Sequence, residues 1–440
     1  MKKLSKEVKA VERFKTIKTY ASFSRNVQII VISELILATA FGIYGFLQIL
    51  YLNEINIPSD KIGLIFSLGS LFSMVGFFVG PFIHMFGRKN ILALGCLLSS
   101  IGIGAYAIFT SYILLLLSQI LTNIGLCFIQ VTELQLLYSY TTPDKECCAY
   151  SYKSSINFIA STLGVLFAGN IDKISIFSII GYRKLFYLSA GMALLAFIMR
   201  LFLLPRDERK KLDEGEIGES IGEAIILLRK HKNIRLFAIF LFIIARGGSA
   251  GWPYNNLVMK NYFGLSNTTI SIISFIITTV VMIGILAMPT IINRIGIKKF
   301  ELVSLICLAT TMFCLTLKLN TIPFVTILII RCIFATLVGS SLDSSMMSYI
   351  EVENRDVFAG VKLLVNGLSC AIGNFIGGFI IENINFRGIY IYGFTILILV
   401  ILIFCLKISK IFGDRAIILE RYKRNCTCKL RHRYVERRKD

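Results

Sequence analysis

Histidine is nearly missing from this chain. The three copies in 440 residues, His84, His231 and His432, all fall in segments, outside the apolar runs, that are expected to be cytoplasmic. No nucleophile with a base beside it and no cluster of metal ligands accompanies them, so an enzyme is not indicated. Charge is also scarce, with Asp, Glu, Lys and Arg making up 17% of the residues. A soluble domain interrupts its apolar content with charge every turn or two, whereas this chain is 55% hydrophobic with a mean hydropathy of +0.73. That excludes the soluble class. Acidic residues number 26 against 47 basic ones, a net charge of +21. An excess of that size can signal nucleic acid, but here the basic residues crowd the segments between apolar runs. They follow the positive-inside bias of membrane proteins, and no nucleic-acid partner is expected.

No secretory leader is expected either. The first 25 residues are basic and polar, without a short apolar core or a small-residue cleavage site, so the amino terminus is expected to stay inside the cell. Eleven cysteines do not form a disulfide scaffold: most lie within apolar runs, where a thiol packs as a small hydrophobe. Cys147, Cys148, Cys426 and Cys428 fall in segments assigned to the reducing cytoplasm. Cys426 and Cys428, with His432 nearby, lack the spacing of a zinc site. No cofactor is expected.

What the chain has is apolar runs. At about 20 residues each they suffice to cross a bilayer as helices, and there are twelve: 26–50, 62–83, 91–109, 112–138, 155–171 and 185–204, then 234–259, 269–292, 302–319, 322–349, 363–381 and 389–407. The fifth and eleventh are interrupted by Asn157, Asn170, Asn366 and Asn374. An all-α integral membrane protein follows, with twelve transmembrane helices in two six-helix bundles. The expected divisions are a cytoplasmic amino-terminal segment 1–25, a first bundle 26–204, a linker 205–233, a second bundle 234–407 and a basic cytoplasmic tail 408–440. Within the linker, Ile217, Ile221, Ile225 and Leu228 recur at helical spacing, which predicts an amphipathic helix over 216–230 lying at the inner membrane surface. The tail either attracts anionic headgroups or is a disordered solubilising end.

Between the second and third runs stands Gly80-Pro81-Phe82-Ile83-His84-Met85-Phe86-Gly87-Arg88-Lys89, a short basic turn expected to face the cytoplasm. Between the eighth and ninth runs the pattern returns as Pro289-Thr290-Ile291-Ile292-Asn293-Arg294-Ile295-Gly296-Ile297-Lys298. This pair resembles the Gly-x-x-x-Asp-Arg-x-Gly-Arg-Lys motif of the major facilitator superfamily and its degenerate second copy. The chain keeps Gly80, Gly87, Arg88 and Lys89, with His84 at the acidic position; the second copy keeps Arg294 and Gly296, with Asn293 there. The resemblance implies two pseudo-symmetric bundles, a cytoplasmic gate at these turns, and a small-molecule substrate bound between the bundles near the midplane. It also implies protons or another coupling ion, the lipid bilayer as setting, and a monomer in the plasma membrane; the loop charges and the even number of runs put both termini in the cytoplasm.

An ionisable group inside a span costs about 2.5 to 3.5 kcal/mol on insertion scales and usually faces a cavity or a partner. Glu34 in the first run, Glu133 in the fourth, Arg246 in the seventh, and Arg331 and Asp343 in the tenth qualify. Glu34 is too deep for a short carboxylate to reach the interface easily. An acidic residue there resembles the drug and proton antiporters of the superfamily, where it serves cation binding or proton coupling. The alternative is a standing pair with a neighbouring base. Glu133 lies at similar depth and either shares a cavity with Glu34 or lines the inner gate. Arg246, beside clustered glycines, Trp252, Pro253 and Tyr254, is a candidate to bind an anionic group, to neutralise Glu34 across the halves, or to form an interhelical pair. Trp252 and Tyr254 either stack on a flat substrate or pack at a helix interface. Arg331 resembles the superfamily's span-four arginine, but in the second half; the first-half place holds Gln119. Arg331 and Asp343 lie twelve positions apart, too far to pair on one helix. Asn374 completes the candidates. A proton-coupled exporter is favoured, with an importer of a sugar or organic anion, or a membrane sensor or scaffold without flux, as the other readings.

Overall fold

The computed structural model describes residues 23–142, 145–171, 181–205, 226, 228–350 and 355–411. Residues 1–22 of the amino-terminal segment, residues 412–440 of the basic tail with Cys426, Cys428 and His432, and nearly all of the linker helix lie outside the described residues. The described residues are helical, with no strand among them.

In chain order the helices are α1 (Arg25–Glu54), α2 (Ser59–Phe72), α3 (Val79–Phe86), α4 (Arg88–Ile108), α5 (Tyr112–Ser139), α6 (Glu146–Asn170) and α7 (Tyr182–Leu203). A second set follows: α8 (Lys232–Ser249), α9 (Asn255–Asn261), α10 (Asn267–Ile295), α11 (Ile297–Thr316), α12 (Thr321–Tyr349), α13 (Arg355–Asn383) and α14 (Arg387–Ile403). Among the described residues ten helical stretches are long and apolar enough to cross a membrane. The other two apolar runs are α6, whose length of 25 residues is sufficient but which carries Lys153 and Asn157, and the pair α8 and α9. That seventh run breaks at Ser249 and restarts at Asn255, where Gly247, Gly248, Gly251 and Pro253 weaken the helix.

The second run differs from a single helix. Its α-helical part ends at Phe72 and passes through a 3₁₀ stretch, Ser73–Phe78, before α3. There the Cys127 thiol donates to the Ser73 carbonyl at 3.0 Å and the Ser73 hydroxyl to the Ser70 carbonyl at 2.6 Å. Side chains thus take carbonyls that a regular helix would keep for its own N–H groups.

The two turns picked out by the sequence have the same shape. Gly87 (φ 82°, ψ 152°) joins α3 to α4, and Gly296 (φ 81°, ψ 151°) joins α10 to α11. Each amide donates to a carbonyl four residues back, Ile83 and Ile292, at 2.8 Å. This backbone region is open essentially to glycine alone. The repeat is therefore conformational as well as sequential.

Within the first set α1 packs on α6 and α7, and α4 on α5 and α7; within the second, α8 packs on α13 and α14, and α11 on α12 and α14. The halves meet along α2 against α13 and α6 against α10. Their polar contacts gather at the end opposite the Gly87 and Gly296 turns. Asn53 and Asn261 exchange side-chain amide bonds of 3.3 and 3.0 Å, the Glu382 carboxylate accepts from the Ser59 amide at 2.7 Å, and Thr268 donates to the Gly169 carbonyl at 3.0 Å. Gly63 and Gly378 bring α2 and α13 together there: a Cβ on Gly378 would fall 2.4 Å from the Ser59 carbonyl oxygen.

Candidate functional site

Three helical stripes face one cavity of about 520 Å³. Glu34, Leu37, Ala38 and Phe41 come from α1; Ile129, Gln130, Glu133 and Leu137 from α5; Tyr150, Lys153, Asn157 and Phe158 from α6. Each set repeats at three- or four-residue steps, the period that puts residues on one helix face. Two glycines hold α1 and α6 close enough to form the wall. A Cβ on Gly42 would lie 2.1 Å from the Ser161 carbonyl oxygen, and one on Gly164 would lie 2.4 Å from that of Thr39. The small residues of the fifth run serve helix packing here.

At the floor of the cavity two carboxylates meet two cations. Arg200 of α7 donates to Glu34 Oε2 at 2.9 Å and to Glu133 Oε1 at 2.8 Å, and its side chain is fully enclosed. Ser33 Oγ accepts from Arg200 Nε at 2.9 Å, and the guanidinium also reaches Cys96 Sγ at 3.4 Å. Lys153 takes the remaining oxygens, Glu34 Oε1 at 3.3 Å and Glu133 Oε2 at 3.0 Å. Asn157 Nδ2 adds a bond to Glu34 Oε1 at 2.5 Å. Every carboxylate oxygen is thus matched, as burial of charge requires. Glu34 and Glu133 share a cavity, and Glu34 has its neighbouring base.

The second half holds a smaller cavity of about 290 Å³, lined in part by Gly248, Met312, Arg331, Asp343, Lys362 and Asn366. Lys362 Nζ lies 2.6 Å from Asp343 Oδ2. Arg331 donates to Asn255 Oδ1 at 3.2 Å and stands 6.0 Å from the centre of the Tyr390 ring. Arg331 and Asp343 therefore share a cavity while bonding to different partners.

Other candidates lie elsewhere. Arg246 does not neutralise Glu34, whose oxygens Arg200, Lys153 and Asn157 already occupy; its guanidinium sits 5.8 Å from the centre of the Phe242 ring. Trp252 is 55% exposed in the turn between α8 and α9 and lines neither cavity. Tyr254 is buried and donates to the Asn374 carbonyl at 2.8 Å, while the Asn374 amide bonds across the halves to Ser70 Oγ at 3.0 Å. These two residues act at a helix interface. Gln119 accepts from Tyr44 at 2.6 Å and also from Gln48, a neutral network at the place where the resemblance implies arginine. At the turns, Lys89 donates to the Leu204 carbonyl at 2.6 Å, tying α4 to the end of α7. Asn293 and Arg294 are exposed, while Gly80 and the side chains of Pro81 and His84 are not among what the structure describes.

Lys153, Arg200 and Lys362 were not among the residues that the sequence singled out. Lys153 and Lys362 fall two and one positions before the starts of their apolar runs, so they pass for interfacial charge. Arg200 lies four residues from the end of its run, where long cations usually snorkel.

Two repeated sets of membrane-length helices enclosing charged cavities define a solute transporter rather than an enzyme. The sequence profile of the Major Facilitator Superfamily matches residues 30–252 and again 236–415, and the chain belongs to that superfamily. It is 24% identical over 334 residues to Multidrug resistance protein 2 of Bacillus subtilis (strain 168), covering 73% of this chain and 80% of that one. Among solved structures it is similar to a point mutant of the nucleoside transporter NupG, with a TM-score of 0.72 at 16% identity over 87% of this chain and 99% of that one. A bacterial homologue of the human lysosomal transporter Spinster, in an inward-facing and unoccupied conformation, superimposes with a TM-score of 0.69 at 13% identity, over 89% and 98%. The D-xylose–proton symporter gives 0.68 at 14%, over 87% and 98%. At these identities the structures establish the fold.

Proposed function

We propose that the chain exports small amphipathic compounds in exchange for protons, as a monomer in the plasma membrane, by alternating access. The observation that carries this reading is the pair of carboxylates, Glu34 and Glu133, on the floor of a cavity large enough for a small solute. Intramembrane carboxylates are where protons and cations are exchanged in membrane carriers, and the 24% identical relative is by its name a multidrug resistance protein. In this reading Arg331 and Asp343 contribute to the pocket from the second half. Arg88, Lys89 and Arg294, with the glycines of the two turns, form the cytoplasmic gate, and both termini lie on that side.

The test is a solute screen on the purified chain in liposomes containing a pH-sensitive dye, with Glu34→Gln and Glu133→Gln beside the native protein. Solute and protons are expected to move in opposite directions, and each substitution to abolish proton movement under a solute load. Unchanged proton movement in both variants refutes the coupling role; solute uptake down an inward proton gradient makes the protein an importer.

A further inference from the structure

We propose that a small inorganic anion, chloride in a cell, is the resident counter-ion of Arg331 at the enclosed end of the second-half cavity. The assignment stands apart from the solute that is moved and from the direction of its movement.

Buried charges in proteins are paired, because an isolated ion gives up its hydration without return. The first-half cluster obeys this with two carboxylates against two cations. The second half does not. Arg331 and Lys362 line its cavity with one carboxylate, Asp343, and Lys362 holds that carboxylate at 2.6 Å. Asp343 lies twelve positions beyond Arg331 on α12, roughly 18 Å along the axis at 1.5 Å per residue. Glu301, the other buried acid of this half, bonds to Ser341 Oγ, ten positions beyond Arg331 on the same helix. Arg331 is 2% exposed and has no acidic partner among the described residues. One positive charge is left over, and a single negative charge balances it.

The bonds left over set the size of the ligand. Nη1 donates to Asn255 Oδ1 at 3.2 Å, and a Cβ on Gly251 would come within 3.3 Å of Nη2. Nε is enclosed and has no acceptor among the described residues. A guanidinium carries donors alone, so whatever meets it must accept. The Tyr390 hydroxyl, on the ring whose centre stands 6.0 Å from the guanidinium, is a second enclosed group without a partner among the described residues. A carboxylate or phosphate takes a guanidinium by two prongs and brings a skeleton with it, whereas one spare N–H at an enclosed position suits a single atom. The wall beside it, Leu308, Met312, Ala335 and Leu397, is apolar. It does not hydrate the cation, and a halide does not have to displace another acceptor there.

The test is equilibrium dialysis of radiolabelled chloride against the purified full chain in detergent, with gluconate holding the ionic strength constant. Saturable binding of one chloride per chain is expected, displaced by bromide and not by an equal concentration of benzoate. Arg331→Met is expected to weaken it at least about tenfold, the loss of one bond to a charged group. Equal binding by a folded Arg331→Met protein means an adventitious ion only and overturns the proposal, as does the lack of saturable binding to the native chain. Full displacement by benzoate also overturns it, since the site then belongs to organic solutes. If Arg331→Met does not fold, native crystals grown in bromide decide. An anomalous peak is expected within about 4 Å of the Arg331 guanidinium, the reach of an ion pair; bromide found only elsewhere, or not at all, refutes the assignment.

Discussion

Arg200→Met is the substitution with the largest expected effect on the folded chain. Methionine has a similar reach and no charge, so packing is largely kept while two contacts of 2.9 and 2.8 Å to Glu34 and Glu133 disappear. Removing one partner of a buried ion pair costs about 3–5 kcal/mol, chiefly because a buried charge is stranded. Lys153 still bridges both carboxylates in the variant, which favours the lower part of that range. A loss of about 3 kcal/mol corresponds to a roughly 100-fold larger unfolding constant. Reversible denaturant titration in mixed micelles measures it. Because the cost is mostly the uncompensated charge, adding Glu133→Gln to Arg200→Met is expected to recover part of the loss, a positive interaction in a double-mutant cycle. An Arg200→Met protein within about 0.5 kcal/mol of native, or a double variant no more stable than the single one, would refute the view that this arginine neutralises the cluster.

Two further predictions concern the backbone. Gly296→Ala meets no atom within 4 Å, yet its φ of +81° is open essentially to glycine, so the expected destabilisation of about 1–3 kcal/mol is strain alone; native-like stability in the same titration would show that the turn does not need this conformation. Gly378→Val places carbon 2.4 Å from the Ser59 carbonyl and 2.8 Å from the Gly63 Cα. It is expected to part α2 from α13 and raise the labelling of a cysteine introduced by Asn53→Cys; unchanged labelling would show that the glycine contact does not hold that end shut.

The twelve runs and the repeated turns were legible because a bilayer demands long apolar segments and because a glycine-only backbone region leaves its residue in the sequence. The cavity was legible in part. Glu34 and Glu133 stood out as charges with no reason to be at that depth. Their partners did not, since an apolar run is delimited at its first charge, and Lys153 and Lys362 each lie just before such a start. The same rule hid Glu301, one position before the ninth run, which is fully buried and bonded to Ser341 Oγ at 2.5 Å. Arg246 misled in the other direction. Its depth suggested a partner across the halves, but α7, whose Arg200 reads as an end-of-helix cation, had already supplied one.

Asn53 and Asn261 stand 208 positions apart and grip each other by the same atoms in both directions. A fastening made of two identical uncharged hands has no leading partner. Neither acidity nor salt can loosen it directly; of the contacts at that end, the Glu382 carboxylate on the Ser59 amide is one that protonation would weaken.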